Sequence, residues 1–341
     1  MIDTSVREAG EGSVSGSARR LGLVLGGAIA PEHLRPVAMR AEELGFDELW
    51  LSEDCFFTGG ISGATTALCA TSGIAVGLGV VSAMLRQPAL LAMEIATMAR
   101  AFPDRLTLGV GLGAPSWLQQ LERMPRSPRT AMTECVTALR RLLAGETLEA
   151  EGEYFTFHGV SLSHPPPGEV ALHLGVVGQR LLQLSGAIAD GSILSVGAGP
   201  RYIAWARRQI DVGRAAAARQ DNHPVTAFAL YALARDRQRA REQIRSTLAF
   251  YLADNDLARV QDLSATLAEV VGRGGRKALA AEMPAAWLEE LAVSGTPEDC
   301  ARQIREMHDA GADSVALLPV SGENILGITS MTASEVMPLL A

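Results

Sequence analysis

Two short apolar runs, 74–81 and 106–112, each end in glycine-rich turns. Between them Leu90, Leu91, Ile95 and Met98 recur at helical spacing across 88–101. The pattern predicts strand, helix, strand, with Pro88 in the first helical turn. Strands that are apolar on both faces belong to a parallel sheet covered by helices. In such sheets the chemistry gathers at the C-terminal strand ends, which here are 79–86 and 111–117.

The alternation continues on both sides of this unit. Residues 21–25 read as a first strand, followed by a helix from Pro31 whose apolar face is Leu34, Val37, Ala38, Ala41 and Leu44, with Gly45 as its C-cap. A second strand over 48–52 runs into Glu53, Asp54 and the loop Cys-Phe-Phe-Thr-Gly-Gly, and a short helix over 63–71 follows. A helix is expected from about 127 to 144, then small alternating strands at 147–162, an excursion closed by three prolines. Strands at 171–178, 192–196 and 225–233 alternate with helices. Residues 235–291 read as helical throughout, too long for one crossover, with a hinge at 272–275. Thr296 and Pro297 open another helix as N-cap and N1, before an eighth strand at 313–320 and a closing helix at 329–340.

Eight strands alternating with helices make a (β/α)8 TIM barrel, an α/β fold with a helical insertion late in the barrel and a small β excursion before strand five. The rival is a doubly wound sheet with an added helical domain. The string Gly-Val-Gly-Leu-Gly at 109–113 lacks the spacing of a dinucleotide-binding turn and is followed by Ala-Pro, so the rival is weak. Residues 1–18 are polar and rich in Gly and Ser; they read as a disordered tail ahead of one barrel domain over 19–341.

Composition narrows the function. The chain has 341 residues, 48% apolar and 20% charged, with a formal net charge of −8. Arginines concentrate at 19–20, 123–129 and 235–245 without interleaved aromatics, which reads as solvated surface rather than a nucleic-acid site. Cys55, Cys69, Cys135 and Cys300 are dispersed, and no Cys/His spacing indicates a metal, so a reduced, cytoplasmic protein without a metal centre is expected. Arg86, Pro88 and Glu94 interrupt the apolar stretch 74–98, which excludes it as a membrane span.

Several strings, in order, resemble the luciferase-like monooxygenase family. They are AEELGFDELWLSED (41–54), GLGVV and RQPALLAMEIATM (77–81, 86–98), DRLTLGVGLG (104–113), LRRLLAGE, EGEYFTF, LGVVGQRLLQLSGAIADG and SGTPEDCARQIREMHDAGAD. Together they span about 20–320 and are most similar to the branch that uses the deazaflavin coenzyme F420, of the methylenetetrahydromethanopterin reductase type. The resemblance implies a (β/α)8 barrel and a homodimer. It also implies a planar coenzyme ring at the barrel mouth, resting on a bulged third strand with a cis peptide between Gly79 and Val80.

By the same resemblance, the turn Gly175, Val176, Val177, Gly178 and Gln179 opens a helix whose free N–H groups suit the coenzyme phosphodiester. Without a ligand it reads as a tight strand-to-helix turn. Gly111 and Gly113 would let the coenzyme side chain approach the backbone. Cys55, Met84 and Trp117 would line the substrate pocket, although Trp117 also reads as an ordinary core residue. Glu53 and Asp54 occupy the ring-edge position, where many dehydrogenases of the branch carry Asp-His. The missing His removes the usual base for an alcohol proton and favours reduction of a C=C or C=N bond of a small molecule, with one carboxyl relaying a proton. The two carboxyls read equally as a hydrogen-bonded pair fixing loop 55–60. Two further classes stay open: an FMN-dependent luciferase-like monooxygenase, and a non-enzymatic flavin-binding barrel.

Overall fold

The computed structural model describes residues 19–27, 29–253, 257–261, 263–320 and 324–341; the tail expected over 1–18 lies outside them. The elements run β1 Arg20–Leu25, α1 Pro31–Glu43, β2 Glu48–Leu51, α2 Gly60–Ala70, β3 Ala75–Ser82, α3 Pro88–Ala101 and β4 Leu106–Gly111. Next come α4 Pro115–Gln120, α5 Pro128–Leu143, the antiparallel pair β5 Leu148–Glu151 and β6 Thr156–Val160, then β7 Ala171–Gly175, α6 Gln179–Ile188, β8 Gly191–Leu194, α7 Pro200–Ala216 and β9 Val225–Leu233. Helices α8 Arg237–Ala253, α9 Leu257–Val260, α10 Ser264–Glu282 and α11 Ala285–Glu290 follow. The chain ends with β10 Val293–Gly295, α12 Pro297–Asp309, β11 Ser314–Pro319, α13 Ile325–Met331, a π-helical turn Thr332–Val336 and α14 Met337–Leu340.

β1, β2, β3, β4, β7, β8, β9 and β11 pair in parallel, and the β8–β9 pairing closes the ring. This is the (β/α)8 barrel that the periodicity and the resemblance both imply. Two local readings are corrected, the end of the barrel and the closing helix. On α3, Leu90 is 59% exposed, while Leu91, Ile95 and Met98 are buried. The residue lies one position round the helix from Leu91, so spacing alone could not separate them. The three-residue strand β10 was not foreseen; it extends the barrel by pairing with the end of β9. The closing helix starts at Ile325, not 329. At the helical hinge, Gly274 and Gly275 leave helical geometry, as expected. Thr296 caps α12 through a full capping box with Asp299.

Alternating strand residues face the barrel interior and fill it in layers. The middle layer holds Trp50 and Phe228, packed edge to face with ring centroids 5.6 Å apart. The layer at the N-terminal end of the strands is polar. There Glu48 accepts hydrogen bonds from Trp50 Nε1 at 2.7 Å and Ser314 Oγ at 2.5 Å, and Arg20 pairs with it at 3.3 Å. His173 lies beside Trp50 and over Gly191, and its Nδ1 is buried without a partner. A cavity of about 200 Å³ opens among these residues. Burial holds the His173 pKa down at about 4.

The sign of the resulting pH dependence is fixed. The unfolded chain protonates His173 near pH 6.5 and the folded one only near 4, so stability present above 6.5 is lost as pH falls through that window. The loss from this residue is up to about 3 kcal/mol. Urea unfolding at pH 7 and pH 4.5 should show a drop that is about 2 kcal/mol smaller in His173→Leu than in the wild-type chain. Equal drops would clear His173 of the effect.

Candidate active site

The C-terminal ends of β2, β3, β4 and β7 bring the expected residues to one mouth. β3 is irregular there: its register against β4 shifts between Leu78 and Val81, and the Gly79–Val80 peptide is cis, at the position the resemblance implies. Glycines make room for this shift. The Val80 side chain occupies the space where Cβ atoms on Gly111 and Gly175 would stand, at 2.6 Å and 2.5 Å. A Cβ on Gly79 would come within 2.5 Å of the Phe228 ring. Gly79 therefore faces the filled interior, and Gly111 accommodates Val80. Ser82, which the sequence did not single out, ties the two strand ends: its hydroxyl donates to the Leu112 carbonyl at 2.5 Å and abuts Gly113.

The two carboxylates that end β2 part company. Glu53 forms a two-pronged pair with the Arg86 guanidinium, one contact of which is Nη2 to Oε2 at 2.7 Å, and accepts the Gly60 N–H at 3.1 Å. It thereby joins the strand-end loops to the start of α2. Arg86 also lies within 3.9 Å of Glu94 on α3. Asp54 turns toward β1 instead. Ser52 Oγ donates to Asp54 at 3.1 Å and accepts the Gly27 N–H at 2.8 Å. Burial pushes the Asp54 pKa up; the Ser52 and Gly27 hydrogen bonds oppose that, and the Glu53 charge adds to it. Cys55, half-buried, is pushed up by burial and by the same two carboxylates. Ser52 was missed, and Arg86 fell within the strand-end range 79–86 without a role of its own; nothing local marks either role, which exists only once β1, β2 and β3 lie side by side.

Phe56 and Phe57, the next two residues, are largely exposed on the rim. Met84 and Trp117 are half-buried beyond the ends of β3 and β4. Across the mouth, Gly178 takes φ +82°, a conformation suited to glycine, and opens α6 with no side-chain cap. Val176 is buried, Val177 and Gly178 are half-buried, and Gln179 is exposed. The uncapped helix start with free space at Gly178 fits an anionic phosphodiester. Among the described residues no group of three or more His, Cys, Asp or Glu side chains converges as a metal site.

Comparison with known proteins adds the following. Residues 11–314 match the family model described as luciferase-like monooxygenase. The chain is 27% identical over 311 residues to 5,10-methylenetetrahydromethanopterin reductase of Archaeoglobus fulgidus, covering 88% of this chain and 93% of that protein. It is 27% identical over 329 residues to F420-dependent glucose-6-phosphate dehydrogenase of Nakamurella multipartita, covering 87% and 92%. Among solved structures, the coenzyme F420-dependent tetrahydromethanopterin reductase of Methanopyrus kandleri superposes with a TM-score of 0.83 at 20% identity, over 95% of this chain and all of the other. An F420-dependent secondary alcohol dehydrogenase holding an F420-acetone adduct superposes at 0.79 and 19% identity, over 95% of this chain and 99%. These likenesses to solved structures establish the fold.

The Glu53–Arg86 pair has a measurable consequence. With side chains 11% and 28% exposed, it lies between surface pairs and fully buried ones. Arg86→Met should lower unfolding free energy by about 2 kcal/mol. The double change Glu53→Gln with Arg86→Met should restore part of that loss in chemical denaturation, because no uncompensated carboxylate remains. A double variant no better than Arg86→Met would show that the pair is not the source.

Proposed function

The chain belongs to the luciferase-like monooxygenase family, and from that membership we propose that it is an F420-dependent oxidoreductase acting as a reductase. Its substrate on this reading is a small organic molecule with a C=C or C=N bond. Relatives named for F420 dependence, matched over nearly their full length, support the coenzyme. Reduced F420, when bound, supplies the hydride.

The observation that carries the direction is Asp54, an acid rather than a histidine at the ring-edge strand end. Its raised pKa favours the protonated form, so Asp54 serves as a proton donor to the reduced product. Glu53, committed to Arg86, positions the loop that carries Asp54. The uncapped start of α6 at Gly178 and Gln179 takes the phosphodiester, with Val176 and Val177 fixing the turn. Gly79 and Val80 form the shelf under the ring, with Gly111 leaving room for the Val80 side chain and Gly113 for Ser82. Cys55, Met84 and Trp117 enclose the substrate.

The test combines coenzyme and variant. F420 should quench tryptophan fluorescence at micromolar concentration, and reduced F420 should be consumed by a panel of imines and activated alkenes without oxygen uptake. Asp54→Asn should lower kcat by a factor of about 10² while leaving coenzyme affinity unchanged. The wild-type rate should fall as pH rises through the raised Asp54 pKa, a fall absent from the variant. Oxygen uptake with reduced FMN would point to the monooxygenase reading, and binding without turnover to a flavin-binding barrel.

A homodimer is part of this proposal. Leu90 and Met93, one helical turn apart on α3, are 59% and 52% exposed, which supports burial of this face by a second copy. Light scattering at micromolar concentration should give a dimer, and Leu90→Glu with Met93→Glu should give a monomer. A wild-type monomer would end this reading.

A further inference from the structure

The N-terminal strand ends form the pole of the barrel opposite Asp54, and they carry an unusual layer. Branched apolar side chains normally fill such interiors. Here the cavity of about 200 Å³ is lined by Arg20, Glu48, Trp50, Ala75, Thr107 and His173. These residues come from β1, β2, β3, β4 and β7, so the closed sheet fixes them all. Glu48 and His173 are 3% and 5% exposed. Glu48 Oε1 accepts from both Trp50 Nε1 and Ser314 Oγ. Among the described residues, Glu48 Oε2 is met by Arg20 alone, at 3.3 Å. The His173 ring makes no hydrogen bond among them, and its Nδ1 is fully buried. Buried polar groups left without partners are costly, and here two of them line one cavity.

The charges around this cavity cancel. Arg20 offsets Glu48, and burial keeps His173 neutral at pH 7, with its pKa held at about 4. A charged molecule entering the cavity would find no counter-charge to spare. A neutral group that both donates and accepts meets these walls fully. We propose that this cavity is a binding site for a small neutral molecule carrying a carboxamide, held by Glu48 and His173. The amide N–H donates to Glu48 Oε2, and its carbonyl accepts from the Arg20 guanidinium or from a ring N–H of His173. The apolar remainder of the molecule lies against Trp50 and Ala75. This site is independent of the reductase reading, because no residue of the upper mouth takes part.

Benzamide, benzoate and benzamidinium share one shape and differ in charge, so they test the assignment directly. The readout is the Trp50 indole N–H resonance, which Glu48→Gln identifies by displacing it, since that N–H donates to Glu48. Benzamide should move this resonance saturably, with a Kd of about 1 mM. The two charged probes should bind at least about 10-fold more weakly. His173→Leu should weaken benzamide about 10-fold. Ala75→Leu fills the cavity from its half-buried rim, should do the same, and keeps the comparison should His173→Leu unfold. A Trp50 resonance unmoved by benzamide would overturn the site. Equal binding of benzoate or benzamidinium would overturn the neutral ligand class. Undiminished benzamide binding in Ala75→Leu or in folded His173→Leu would place the probe elsewhere and overturn the site as well.

Discussion

A barrel of eight parallel strands must fill its own interior, and most of the site's geometry follows from how this chain does so. Two large rings, Trp50 and Phe228, occupy the middle layer, and space for them comes from two glycines of β3. Gly77 lies under Trp50, and Gly79 lies against Phe228. Above them Val80 reaches over Gly111 and Gly175, so β3, β4 and β7 meet at the mouth through one side chain and two missing ones. Interiors are packed as densely as organic crystals, and a methyl group at any of these glycines has nowhere to go. The shelf at the mouth is thus the upper surface of the core, set by the packing beneath it.

Beyond the end of β2 at Leu51, Glu53 and Asp54, adjacent in sequence, meet different surroundings. Glu53 finds Arg86 from the end of β3 and the N–H of Gly60. Among the described residues Asp54 is met by the Ser52 hydroxyl and the Gly27 N–H. Burial outweighs both hydrogen bonds, and Asp54 drifts toward its neutral form. Two chemically similar side chains are given unlike surroundings by geometry alone.

How much of this was legible beforehand follows the range of each signal. Strand and helix periodicity is local, so α3 could be read to its first and last residue, and the glycines of 77–79 and 109–113 marked the right strand ends. The cis peptide came from the family resemblance, since nothing in the composition of the segment requires it. Leu90 shares the helical spacing of Leu91, Ile95 and Met98 yet lies exposed, because four apolar residues at that spacing exceed the width of one buried stripe. Ser52, Ser82 and the role of Arg86 escaped because their partners are contributed by other strands. A serine at a strand end carries no mark until a second strand end lies beside it. A Cβ at Gly79 would point into Phe228, so filling that position tests the core.

The helical segment after β9 joins these two levels. Its buried ridge is continuous with the barrel interior, so the helices are anchored through the same apolar cluster that supports the ring shelf. Around the mouth, the strand ends supply groups fixed by the closed sheet: Asp54, Val80 and the α6 start at Gly178. The helices supply a wall whose outer connections run through surface ion pairs such as Arg241 with Glu289 and Arg237 with Asp299. Substitutions in the wall therefore divide by depth: at Ile244, Leu248 or Leu252 they reach the barrel interior, whereas at the ion pairs they leave the sheet intact, since no strand pairing passes through α8 to α11.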